Sequence, residues 1–104
     1  MRKVDEIYQC VQKAVLEEIE LPDNWMSSRM EDCVDARYIF VNLLLTNGLS
    51  RKQIESKTGL SKTTVRQYIN TYIERKRTRK IMVLWCAEIG RKIGNNILQI
   101  KNNK

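Results

Sequence analysis

Five residues within six consecutive positions, Lys62, Thr63, Thr64, Arg66 and Gln67, are of types that read the edges of base pairs. Lysine and arginine donate to guanine O6 and N7, and a threonine methyl packs against the methyl of thymine. A second set, Arg37, Arg51, Lys52 and Ser61, offers cations and a hydroxyl to phosphate oxygens, contacts that fix register without reading sequence. No comparable set exists for bond-breaking chemistry. The chain has no histidine, which removes the usual general base. No Ser-His, Cys-His or phosphate-loop arrangement can be drawn. Glu17, Glu18 and Glu20 lie close together, but a solvated helix face explains them more simply than a catalytic carboxylate pair. The sequence therefore predicts no enzyme and no cofactor. Cys10, Cys33 and Cys86 are far apart and odd in number, match no zinc spacing, and read as buried free thiols with no metal site.

The elements that must position these residues are announced by a doubled phrase. Gly48-Leu49-Ser50-Arg51-Lys52-Gln53-Ile54 is followed by Gly59-Leu60-Ser61-Lys62-Thr63-Thr64-Val65. In the first copy Ser50 is a good N-cap, and Gln53 three residues later completes a capping box. Leu49 and Ile54 have the spacing of a hydrophobic staple. In the second copy Ser61 caps, while Leu60 and Val65 staple. Between the two starts there is room for only two turns of helix, closed by Gly59. Two helices joined by a short glycine-containing turn make a helix-turn-helix, here over residues 50–73. In such a unit the second helix enters the major groove N-terminus first. An αα-hairpin without any DNA role is the alternative, and the basic residues at both helix starts count against it, because a helix N-terminus already favours anions.

Charge is distributed to match. The formal net charge is +7, yet residues 1–40 hold five basic and nine acidic residues. Residues 41–72 hold five basic against one acidic, and residues 73–104 nine against two. A polyanion-binding face confined to the second half follows from that asymmetry. Hydrophobic residues at 42% are enough for a core in one small domain of 104 residues. No apolar run approaches a membrane span and Met1-Arg2-Lys3 leads into no signal-peptide core, which predicts a soluble cytoplasmic protein.

One proline, four glycines and no alternating apolar runs predict an all-α protein, a bundle of about five to six helices with a basic C-terminal helix. Val4, Ile7, Tyr8, Val11, Ala14 and Val15 share one face of a first helix. Leu21-Pro22-Asp23-Asn24-Trp25 breaks it, with Trp25 plugging the turn. Ala36, Ile39, Phe40, Leu43 and Leu44 form a second stripe that ends at Asn47-Gly48. After Val65 the helix is expected to run unbroken through Tyr68, Ile69, Tyr72 and Ile73 into the basic run Glu74 to Lys80. There Arg75, Lys76 and Arg77 are candidates for phosphate contact, or a solvated face. Ile81, Leu84, Trp85, Ile89 and Ile93 form a last stripe that covers the core or makes a homodimer seam. The division that results is a DNA-binding domain at 1–80 and a helical extension at 81–104, frayed from about residue 95.

Residues 4–72 resemble the C-terminal duplex-binding domain of the bacterial replication initiator DnaA, a Trp-repressor-like helix-turn-helix. The carriers are Ile7-Tyr8-Gln9-Cys10-Val11, then Leu21-Pro22-Asp23-Asn24-Trp25 and Ser27-Ser28-Arg29, then Ala36-Arg37 opening an apolar helix. Leu49-Ser50, Ile54 and Thr63-Thr64-Val65 follow in the family's order. The family carries Arg-Asp-His before Thr-Thr-Val, where this chain has Leu60-Ser61-Lys62. The resemblance implies a duplex-DNA partner, a helix in the major groove, and a minor-groove contact from the basic loop through Arg29. It implies no ATP-driven initiator, because these residues include no nucleotide-binding domain. The expected function is sequence-specific duplex binding in replication or transcription. The alternatives are a helical partner-binding module, and non-specific nucleic-acid binding through the basic half.

Overall fold

A computed structural model describes the backbone of residues 2–102 and the side chains of residues 3–94. Among these residues there are six helices and no strand, so the chain is all-α. They are α1 (Arg2–Glu18), α2 (Glu31–Thr46), α3 (Arg51–Thr58), α4 (Lys62–Asn70), α5 (Tyr72–Thr78) and α6 (Lys80–Asn102).

The bundle is organised around α2, which packs against every other helix. Ten of its 16 residues are buried. A helix covered on all sides needs apolar residues on all sides, which the run Tyr38-Ile39-Phe40-Val41 supplies. Helix α1 brings a single apolar face of Val11, Ala14, Val15 and Ile19, with Val4, Ile7 and Tyr8 packed at its margin. Phe40 joins these layers. The rings of Tyr8 and Trp25 each meet it edge-on, 5.4 Å between centroids and inclined at 63°, a favoured aromatic geometry. Trp25 thus plugs the turn between α1 and α2, as its position there suggests. The N-terminus of α2 lies earlier than Ala36-Arg37. It opens at Glu31, with Glu31 and Asp32 in a first turn where acidic side chains oppose the helix dipole.

The long helix expected beyond Val65 is three pieces. Helix α4 stops at Asn70 because Thr71 takes φ −106° and ψ 10°. The Thr71 hydroxyl donates to the Gln67 carbonyl at 2.7 Å and lies 3.0 Å from the Tyr38 hydroxyl, and such local bonding competes with helix continuation. A second break falls at Arg79, in extended conformation, where the guanidinium turns back to Asp35 on α2.

Helix α6 lies along α1, and its stripe covers the core. Met82, Ile89 and Ile93 are buried, with Trp85 and Cys86 beside them. Ile81 and Leu84, expected in that stripe, face outward instead at 38% and 65% exposure. The inward positions are 82, 85, 86, 89 and 93. The expected frayed tail falls mostly on residues whose side chains lie outside the described set. Backbone helix extends through Asn102. Only Cys33 is a fully buried thiol; Cys10 and Cys86 are half-exposed, which corrects the expectation of three buried cysteines. Among the described residues no helix is long and apolar enough to cross a membrane.

Phe40→Ala should destabilise the fold by about 3–5 kcal/mol, the usual cost of emptying a buried aromatic site. Urea unfolding followed by circular dichroism measures it, and a loss below about 1 kcal/mol would contradict the role of Phe40 at the centre of the core.

Candidate nucleic-acid interface

The helix-turn-helix is built as the doubled phrase requires. Ser50 caps α3, accepting from the Gln53 amide at 3.1 Å, while the Gln53 side chain accepts from the Ser50 amide at 2.8 Å. Gly59 closes α3 with φ +77°, a left-handed conformation that glycine adopts without strain. Leu49 and Ile54 are buried, and so is Val65. Three residues, Gly59 to Ser61, separate the helices. Ser61 caps α4 by accepting from the Thr64 amide at 3.1 Å.

Helix α4 then has two distinct faces. Val65 and Tyr68 are buried, while Lys62, Thr63, Arg66, Gln67 and Asn70 are exposed. Residues 63, 66, 67 and 70 follow the i, i+3, i+4, i+7 rule, so they form a single outward stripe. Asn70 was not among the residues singled out by type, although the same periodicity marks it. Thr64 differs from its neighbours: its hydroxyl lies 2.8 Å from that of Ser61. Its hydroxyl thus has a partner inside the protein, and Thr64 is half-buried where its neighbours on the outward stripe are exposed.

The back of α4 is fixed to α2 by a polar network. Asn42 Nδ2 donates to the Tyr68 carbonyl at 3.0 Å and to the Tyr38 carbonyl at 2.8 Å. The Tyr38 and Tyr68 rings lie 4.6 Å apart. Arg37 Nε donates to the Tyr68 hydroxyl at 2.9 Å, and Arg37 Nη1 to the Trp25 carbonyl at 2.5 Å. Arg37 is only 7% exposed. It was expected on the surface as a phosphate ligand, but the structure makes it an internal strut between α4 and the turn that holds Trp25. Its position on a helix covered all round is the reason.

The basic run divides. Arg75 Nε donates to Asp35 at 2.7 Å, with its guanidinium 4.9 Å from the centre of the Tyr38 ring. Arg75 thus spends Nε on Asp35, with its side chain 25% exposed. Lys76 sits over the Tyr72 ring at 5.0 Å, and Arg77 is exposed beside Glu74, 3.6 Å away. Burial, and secondarily the Cys86 thiol at 2.8 Å, push the Tyr72 phenol well above its usual pKa. Tyr72 consequently stays neutral and ties α5 to α6. Arg29 is exposed in the loop before α2, and Arg51 and Lys52 are exposed in the first turn of α3. Lys57, the remaining cation of α3, is paired with Asp5 of α1. The first turns of α3 and α4 thus keep Arg51, Lys52, Ser61, Lys62 and Arg66 exposed beside helix N-termini, while Glu55, the one acidic residue among 41–72, is half-buried. Such an arrangement suits phosphate oxygens.

Tyr68→Phe should cost about 1–3 kcal/mol of stability, because it leaves the buried Arg37 Nε–H without its acceptor. An unchanged urea midpoint would show that the strut contributes nothing.

No family model, curated protein or solved structure matches this chain, so the resemblance to the initiator's duplex-binding domain has no support beyond the residues that carry it.

Proposed function

We propose that this chain is a sequence-selective duplex-DNA-binding protein that lays α4 in the major groove. The observation that carries the reading is the outward stripe of Thr63, Arg66, Gln67 and Asn70, with Lys62 immediately before it. Among the described residues none of these side chains is hydrogen-bonded or ion-paired within the protein, while the opposite face of the same helix is fixed to α2. A rigid helix with a free polar face and an N-terminus rich in cations has the form of a reading helix. Arg66 and Lys62 suit guanine, and Thr63 suits a thymine methyl, at about 1–3 kcal/mol of discrimination for each well-made contact. Arg51, Lys52 and Ser61 hold phosphates and set register. Arg29 is the candidate from the loop before α2, where the resemblance to the replication initiator places a minor-groove contact. The initiator's Asp-His pair is absent, so the target differs from that family's origin box. Replication and transcription remain equal settings for such a reader.

A second reading draws on α5 and α6. Ile73 and Leu84 are about two-thirds exposed, at 67% and 65%, with Val83 and Ile81 also open. Apolar side chains in that number on one short stretch suit a protein partner, including a second copy of the chain. Sedimentation at several concentrations, with and without DNA, separates the two readings.

Arg66→Ala should narrow the gap between a preferred duplex and random duplex, whereas Arg51→Ala should weaken both about equally. The Arg51 variant should also flatten the plot of log affinity against log salt by about 0.9, the loss of one phosphate contact. Equal losses on both duplexes for Arg66→Ala would refute its base-reading role.

A further inference from the structure

We infer that Asp35 limits the polyanion-binding face: it withholds Arg75 and Arg79 from nucleic-acid phosphates and ends the basic surface at the N-terminus of α2. This inference rests on the duplex-binding reading above.

Residues 75–80 hold five cations, Arg75, Lys76, Arg77, Arg79 and Lys80. As an extended cationic run it would grip any duplex through its phosphates, with no regard to sequence. The structure removes two of the five. Asp35 has a side chain with no exposure at all, and its two carboxylate oxygens are both used. One accepts from Arg75 Nε at 2.7 Å; the other accepts from Arg79 Nε at 2.8 Å and Nη2 at 2.5 Å. Glu31 takes Arg79 Nη1 at 3.0 Å, and Asp32 lies 3.8 Å from Nη2. The Asp35 hydrogen bonds raise the Arg79 pKa above its usual value.

Two guanidinium groups therefore face three carboxylates. The cluster is locally anionic and repels a phosphate that approaches it. Drawing either arginine out towards DNA would leave a buried carboxylate with less compensation, which is costly. The same contacts set the break at Arg79, because the guanidinium reaches Asp35 only where the chain leaves the helix between α5 and α6. What stays available to phosphate in this run is Lys76, Arg77 and Lys80. An acidic residue on α2 thus decides which cations of a distant segment count towards DNA affinity.

The test is the salt dependence of binding to a random-sequence duplex, measured by fluorescence anisotropy on the full chain. Arg51→Ala serves as the scale for one lost phosphate contact. Arg79→Gln should leave the slope of the wild-type chain unchanged, although it removes a positive charge. Asp35→Asn should steepen the slope by about 0.9, as Arg75 is released and gains a phosphate while Glu31 and Asp32 still hold Arg79, and should raise random-duplex affinity. A flattening in Arg79→Gln as large as that in Arg51→Ala would overturn the inference, because Arg79 would then be a phosphate ligand. So would an unchanged or flatter slope in a folded Asp35→Asn. If thermal melting shows that Asp35→Asn does not fold, Arg79→Gln decides alone, since it preserves the Arg75–Asp35 pair. A wild-type chain with no salt-dependent duplex affinity overturns the duplex-binding reading itself, an outcome distinct from failure of the clamp.

Discussion

Tyr68 is gripped by α2 at three points. Arg37 donates to its hydroxyl, Asn42 donates to its carbonyl, and Tyr38 lies against its ring. Each buried hydrogen bond is worth only about 1 kcal/mol net, yet leaving one of its partners unsatisfied costs about 1–3 kcal/mol. Slippage of α4 along α2 would strand several groups at once, so the network specifies one position for the helix. The outward stripe inherits that position. Apolar packing by Val65 alone would hold α4 against the core but would not fix its rotation or its depth. The Arg37 strut extends the same constraint to Trp25, and through Trp25 to the ring of Phe40 at the centre of the core.

Much of this architecture was legible in the residues. Caps, staples and the closing glycine are local devices, and the doubled phrase fixed both helix starts to the residue. Apolar periodicity located the single buried face of α1, whereas α2, read as one stripe, is covered on all sides. What failed did so for a physical reason: it depended on partners remote in sequence. Thr71 and Arg79 break the helix because of Tyr38 and Asp35, which lie 33 and 44 residues away. The Thr71 hydroxyl also bonds the Gln67 carbonyl four residues back, but nothing local marks the break at Arg79. Arg37 was expected at the surface because arginine is usually there, and burial on α2 reversed that; Arg75, on α5, is half-buried with Nε on Asp35. Asn70 was missed although the spacing of its neighbours pointed to it.

Charge counted along the sequence proved a coarse guide to charge presented at the surface. The basic half of the chain uses Arg75 and Arg79 on Asp35, Lys57 on Asp5, and Lys92 beside Glu18. These pairs bind the acidic front half to the basic back half, and they account for part of the acidic excess that the charge asymmetry left without a use. Among the described residues, Arg51, Lys52, Lys62 and Arg66 are exposed and in no ion pair at the starts of α3 and α4, where two helix N-termini add their own positive ends. Exposed positive charge thereby lies beside the outward stripe of α4.

Selection of binding sites from a random duplex pool, followed by sequencing of the bound fraction, addresses the central claim most directly. An enriched motif whose bases shift when Arg66 or Gln67 is replaced is the result this account predicts. A palindrome would indicate two copies on the site, and a single asymmetric box one copy. Recovery of no motif, or of a motif unchanged by replacements on the outward stripe of α4, would contradict it.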